Sequence, residues 1–156
     1  MKLGILAVGH KLPAWVASGC SEYIKRMPRE LPLAVVEIKP EPRGSKTREQ
    51  LLAAEKIRLQ AALLSYQRIV VLDERGEDLT TMKLAQRLED WMREGGDTAL
   101  LIGGADGIDE ELKHRADDCI RLSSLTLPHA MARLILCEQL YRAISVVKNH
   151  PYHREG

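Results

Sequence analysis

Three places in this 156-residue chain hold residues whose types and spacing could do chemistry. The first is Gly103, Gly104 and Gly107, directly after the apolar run Ala99 to Ile102. Glycine lets a backbone approach a ligand closely. The spacing is not the Gly-x-Gly-x-x-Gly of dinucleotide sites, and no Gly-x-x-x-x-Gly-Lys-Ser/Thr phosphate loop occurs in the chain. A phosphate-bearing cofactor is therefore disfavoured. The second place is Ser123-Ser124-Leu125-Thr126-Leu127-Pro128. As a loop it is unusually apolar, and a buried loop leaves main-chain N–H and C=O groups that something must pair. A planar, uncharged ligand edge such as adenine would do so. A sixth short strand or an ordinary turn would also account for the segment. The third is the tail, where Tyr152, His153 and Arg154 bring an aromatic ring, a titratable imidazole and a fixed cation together.

Other single residues carry less. His129 opens the last helical pattern and is equally a capping or packing histidine or a catalytic one. Asp73 follows a strand, as a phosphoacceptor does, but that chemistry needs further acids after the first strand, where Gly9, His10 and Lys11 stand. It is expected to be a turn residue beside the crevice at the carboxyl ends of the strands. His150 and His153 lack the further ligands zinc requires, so no metal is expected. Cys20, Cys119 and Cys137 are odd in number and far apart, and read as small core hydrophobes in a reducing cytosol. No serine sits in a Gly-x-Ser-x-Gly elbow.

The elements that must position these residues alternate. Leu3 to Val8, Leu33 to Ile38, Ile69 to Leu72, Ala99 to Ile102 and Cys119 to Leu122 have the composition of strands. Helices are predicted from Pro13 to Arg26, from a Thr47 cap to Leu64, and from a Thr80 or Thr81 cap to Arg93, where Gly95 and Gly96 stop it. A short helix over Asp109 to Arg115 and a long one from His129 to Asn149, closed by Pro151, complete the pattern. Strand–helix alternation predicts an α/β fold, a mostly parallel sheet with helices on both faces, in a single domain over 1–156. The last helix is apolar on most sides, so it is covered either by a second subunit or by deep burial within one chain.

Charge adds little by itself. The net charge is +1 with 45% apolar and 29% charged residues, which excludes a disordered tail. No apolar run approaches the ~20 residues of a membrane span, and no secretory leader is expected at the N-terminus. A cytoplasmic protein without a membrane is the expectation. Lys39, Arg43, Lys46 and Arg48 cluster against the single acid Glu41, either as solvated surface or as a phosphate-contacting face.

Four segments then carry a resemblance: Leu72-Asp73-Glu74-Arg75-Gly76, Leu101-Ile102-Gly103-Gly104-Ala105-Asp106-Gly107, Leu122 through His129, and Asn149-His150-Pro151-Tyr152-His153-Arg154. Together they closely resemble the RlmH (YbeA-like) large-subunit rRNA pseudouridine methyltransferases of the SPOUT superfamily, over the whole chain. Ala105, Asp106 and Ala130 differ from members with proline there, and Gly156 extends the tail. The resemblance implies a SPOUT-type C-terminal trefoil knot, which sequence patterning would have rejected because knots are rare. It implies a homodimer and an S-adenosylmethionine site made of Leu72, Gly103, Gly104, Leu122, Ser123, Ser124, Leu125, Thr126 and Leu127. The implied reaction is methylation at N3 of a pseudouridine in the helix 69 loop of 23S rRNA, on the assembled ribosome. For catalysis and RNA contact His153, Tyr152 and Arg154 are the expected residues, acting within one subunit or across a dimer. His129 and Arg142 stand second. The competing classes are a ribosome-associated assembly factor without turnover and a nucleotide-dependent oxidoreductase, the latter disfavoured by the missing glycine fingerprint.

Overall fold

The structure, a computed structural model, describes residues 1–9 and 11–154; His10, Glu155 and Gly156 lie outside the described residues. Five strands, β1 (Leu3–Val8), β2 (Leu33–Ile38), β3 (Arg68–Asp78), β4 (Thr98–Ile102) and β5 (Asp118–Arg121), form one sheet in the order β2-β1-β4-β3-β5. All the pairings are parallel. That is the α/β architecture expected from the alternation.

Each central strand divides its residues between two cores with a period of two. Leu3, Ile5 and Ala7 enter one core, which also holds Val70, Leu100 and Leu136. Leu6 and Val8 enter the other, with Val71, Leu101, Leu59 and Leu112. The first core lies under α1 (Ala14–Arg26), α3 (Thr81–Glu94) and α5 (His129–Val147), and the second under α2 (Arg48–Leu63) and α4 (Glu110–Arg115).

Local chemistry sets the helix ends. Thr47 and Gln50 form a capping box, Gln50 N donating to Thr47 Oγ1 at 3.2 Å and Thr47 N to Gln50 Oε1 at 2.9 Å. Thr80, not Thr81, caps α3 by accepting from Lys83 N at 3.1 Å. Gly95 ends α3 at φ 79°, a left-handed conformation that glycine adopts without strain.

Three expectations need correction. The third strand does not stop at Leu72: it resumes after an irregularity, with Glu77 opposite Ile120 and Asp78 opposite Arg121. Leu72 also pairs with Ile120, so residues 73–76 loop out between two contacts with one partner. A polar extension is tolerated there because it pairs through backbone on one side only. Asp73 therefore lies within β3, not in a turn beyond it. The fifth strand ends at Arg121, which leaves 122–128 irregular and removes the sixth-strand reading. The last helix ends at Val147, where Asn149 takes φ 54° and His150 N donates to Ser145 O at 2.7 Å. With Asn149 N donating to Val146 O at 3.1 Å, this is a Schellman closure.

α5 packs against both α1 and α3. Leu136, Cys137, Leu140, Ala143 and Ile144 are fully buried in one chain. Met131, Leu134, Ile135, Val146 and Val147 remain half-buried. Burial within the subunit thus accounts for most of this helix but not all of it. Among the described residues no helix is long and apolar enough to cross a membrane.

Candidate functional site

At the carboxyl side of the sheet the irregular 73–76 stretch within β3, the end of β4 and the segment leaving β5 meet. They enclose a cavity of about 440 Å³. Leu72, Leu122, Ser123, Ser124, Leu125, Thr126 and Leu127 all line it. Seven of the nine residues expected to hold the methyl donor are therefore brought together, although they come from segments some 50 positions apart. Asp73, Glu74, Arg75 and Arg121 complete the polar side of the wall. Asp73 is held by Lys113 of α4 at 3.4 Å.

Gly103 and Gly104 line a second, larger cavity of about 900 Å³. Ile102, Leu127 and Ala132 belong to both, so the two hollows adjoin. The glycine turn is tight: Gly107 N donates to Gly104 O at 3.0 Å, and a Cβ on Gly103 would lie 2.5 Å from the Gly107 carbonyl carbon and oxygen. No side chain fits at Gly103 without moving backbone.

The segment 122–127 was expected to be buried, and it is not. Ser124, Leu125 and Thr126 are exposed, Leu125 by 75%. The segment forms the rim of an open cavity and not a plug within the core. Its main chain nevertheless behaves as an unpaired loop would. Among the described residues, the N–H groups of Ser123, Ser124, Thr126 and Leu127 have no partner in the protein, and no carbonyl of the segment accepts a hydrogen bond. Leu125 N alone is taken, by Ser123 Oγ at 2.9 Å.

His129, at the first position of α5, sits against the glycine turn with Nδ1 3.2 Å from Gly103 O. Its Nε2 accepts from Arg133 Nε at 2.9 Å. Burial, and then the neighbouring guanidinium, push this imidazole below the usual histidine range. A neutral ring with its only lone pair already engaged is a structural support and not a free base. The packing reading of His129 is the one the geometry favours.

Arg133 itself was missed. It is fully buried, donates through Nη1 to Glu37 Oε1 at 3.2 Å, and leaves Nη2 without a partner among the described residues. The available signal was a single cation in the run Met131-Ala132-Arg133-Leu134-Ile135, four residues after a histidine and so on the same helix face.

The tail residues lie elsewhere. Tyr152, His153 and Arg154 form a 3-10 turn (Pro151–Arg154), and none of them lines either cavity. The Tyr152 hydroxyl donates to Glu138 Oε2 at 2.9 Å and lies 3.2 Å from Tyr23 Oη. Its ring packs edge-on to Tyr141 with centroids 4.7 Å apart, under the Arg142 guanidinium at 4.9 Å. Burial, then the bonds to Tyr23 and Glu138, raise its hydroxyl well above the usual tyrosine range. Within one chain Tyr152 is not free to stack on a base at the loop cavity. Arg142 pairs with Glu138 at 2.7 Å and belongs to this cluster, not to the cavity mouth. Glu138 stands nine positions along α5 from His129, or ~14 Å at 1.5 Å per residue. The reversal at Asn149 turns the tail back onto α5 and α1.

Sheet order and crevice together define an α/β domain with cavities at the carboxyl ends of its parallel strands, where open α/β sheets characteristically bind ligands. Among solved structures the fold is shared with a probable methylase family protein from Haemophilus influenzae, at a TM-score of 0.56 and 14% identity, over 97% of this chain and 69% of that one. A family model described as "Predicted SPOUT methyltransferase" matches residues 1–153, and the chain belongs to the SPOUT methyltransferase family. Two similar relatives are the proteins named "Ribosomal RNA large subunit methyltransferase H" of Dechloromonas aromatica and Paraburkholderia xenovorans. The first is 72% identical over 100% of both chains, the second 61% over 99% of both.

Proposed function

We propose that this chain is a cytoplasmic enzyme that transfers a methyl group from S-adenosylmethionine to N3 of a pseudouridine in the helix 69 loop of 23S rRNA, on the assembled ribosome. The observation that carries the reading is the 122–127 segment, whose unpaired amides and carbonyls border the 440 Å³ cavity. Hydrogen-bonding edges of a purine ring satisfy such groups, and Leu72 and Ile102 supply apolar faces for the ring. The two named relatives agree with an RNA substrate in the large ribosomal subunit.

The donor brings an electrophilic methyl on sulfur. The chain has to fix the acceptor nitrogen in line with it, exclude competing water and let a proton leave. Alignment is worth up to ~7–11 kcal/mol by effective-molarity data. A general base adds roughly 10²–10⁴-fold. Positioning therefore dominates. His129 holds the glycine turn, and Leu127 and Ala132 shape the passage between the two hollows.

His153, with Tyr152 and Arg154, remains the proposed group for RNA contact and proton handling. Since the tail docks on its own subunit away from both cavities, it acts on the site of a second copy in this reading. A homodimer through the half-buried side of α5 would bring it there, and the threaded C-terminal knot belongs to the same reading. Sedimentation at micromolar concentration is expected to show a species of twice the 17.5 kDa chain.

Two measurements test the function. Titration calorimetry with S-adenosylmethionine is expected to show saturable binding, and its absence rejects the proposal. Mass spectrometry of ribosomal RNA from cells lacking the protein, before and after its restoration, identifies the modified nucleotide. A different methylated position would refute the substrate assignment and leave the donor site standing.

A further inference from the structure

Of the residues assigned to the methyl donor, Gly103, Gly104 and the shared Leu127 line the larger cavity, which adjoins the donor cavity along Ile102, Leu127 and Ala132 and extends well beyond them. Its interior is apolar: Val8, Leu12, Leu51 and Ala130 line it, over a floor of Gly9, Gly103 and Gly104. A flat heterocycle suits such a hollow. The rim is charged: Lys11, Lys39 and Arg43 face Glu41, Glu55 and Asp106, and the pairing among them is uneven.

Two of the three acids around the cavity, Glu41 and Asp106, are ion-paired, and the third, Glu55, is held by a main-chain N–H. Glu41 is held by Arg58 at 2.5 Å and Lys46 at 3.4 Å, and these cations keep its carboxyl below the usual range. Asp106 is held by Arg43 at 2.5 Å. Glu55 accepts from Glu41 N at 3.1 Å. Two further cations line the same cavity, Lys11 after β1 and Lys39 after β2. Both are exposed, and neither has an ion-pair partner among the described residues. The Lys39 main chain is fixed, since Arg58 Nη1 donates to its carbonyl at 2.9 Å. A largely apolar hollow with two exposed ammonium groups outside any ion pair at its rim complements a base that carries phosphates on its flanks.

We propose that this second cavity seats the target nucleotide of the RNA, its base inside the hollow and its flanking phosphates on Lys11 and Lys39. In this arrangement transfer across the Ile102–Leu127–Ala132 boundary would break the sulfonium S–CH3 bond and form the N3–CH3 bond, leaving a neutral thioether on the donor side while the N3 proton is released from the base. The proposal rests on the function proposed above. It adds to that function a binding role for two lysines that follow strands β1 and β2, outside the loops that hold the donor.

The test compares the wild-type protein with the Lys11→Gln/Lys39→Gln double variant, using ribosomes from cells that lack this protein as substrate. The variant is expected to raise KM for ribosomes about tenfold and to reduce the log–log salt dependence by about 1.4, or 0.7 for each lost single-strand phosphate contact. Calorimetric affinity for S-adenosylmethionine should not change. Ala105→Trp, at an exposed position that lines only this cavity, should also raise KM with donor affinity intact. Unchanged KM and salt slope in the double variant would overturn the proposal. So would a parallel loss of donor affinity, which would assign the hollow to the donor. Dissociation of the variant in sedimentation, with RNA affinity kept, would assign it to the tail of a second copy and equally overturn it. A wild-type protein that methylates no ribosomal RNA refutes the underlying function instead, and that control is read first.

Discussion

Arg133 Nε donates to Nε2 of His129 at 2.9 Å, and this contact settles the form of the imidazole beside the glycine turn. An acceptor at Nε2 places the ring proton on Nδ1, which faces the Gly103 carbonyl at 3.2 Å. A buried cation thus orients a neutral histidine, and the histidine anchors the glycine turn that lines the larger cavity. Gly9 makes room for the pair: a Cβ there would lie 3.0 Å from His129 Nε2 and 3.1 Å from Arg133 Nη2.

Removing the guanidinium should loosen that anchor. Arg133→Met keeps much of the volume but leaves His129 Nε2 without its donor, at a cost of about 1–3 kcal/mol for an unsatisfied buried group. Urea unfolding should show that loss, and calorimetry a weaker donor affinity as the Gly103 turn gains freedom. Full stability with unchanged affinity would show the contact to be incidental.

His129 also predicts how stability depends on pH. Its folded-state pKa is depressed, by burial first and by Arg133 second. Between the folded and unfolded values the unfolded chain binds the extra proton. The contribution is therefore complete above about pH 6.5 and is lost as pH falls from there through the folded value, with a slope of at most ~1.4 kcal/mol per pH unit. His129→Asn keeps an N–H donor near Gly103 and removes the titration. The difference between wild type and variant in urea midpoints should shrink as pH falls from 7.5 to 5. The other four histidines are present in both proteins and cancel. A constant difference would exclude His129 as the source.

Gly103→Ala should be far more damaging than its size suggests. The added methyl group would meet the Gly107 backbone at 2.5 Å, which cannot rotate away as a side chain can. The turn must shift, and donor affinity is expected to fall by at least about tenfold, the equivalent of 1.4 kcal/mol.

The tail separates two effects. Tyr152→Phe removes hydrogen bonds to Glu138 and Tyr23, while Glu138 keeps Arg142; about 1 kcal/mol of stability should be lost. His153→Ala should leave stability and donor affinity nearly unchanged and lower single-turnover methyl transfer roughly 10²–10⁴-fold. Equal losses of transfer and affinity would contradict a role for His153 in proton handling.

Much of the framework was legible because it is local. Alternating apolar runs, Thr47 and Thr80 at helix starts, Gly95 at a helix end and Pro151 after the last helix each act within a few residues. The glycine turn and the irregular 122–127 segment were visible for the same reason: a backbone without side chains, or without ladder partners, is written in consecutive residues. Strand order, by contrast, has no local sign. Nor does the resumption of β3 at Glu77, because its polar residues pair only through a backbone that Ile120 and Arg121 bring alongside. Arg133 reaches Glu37 across 96 positions, and Lys11, Lys39 and Gly104 meet around one hollow only because β1, β2 and β4 end together. Sequence alone thus determined which segments form the elements and which loops lack internal partners, since short-range geometry and hydrogen bonding decide both. Tertiary structure alone decided which side chains share a cavity, and that the tail packs on its own helix, because these are contacts between distant residues whose placement follows from packing the sheet and not from any neighbouring residue.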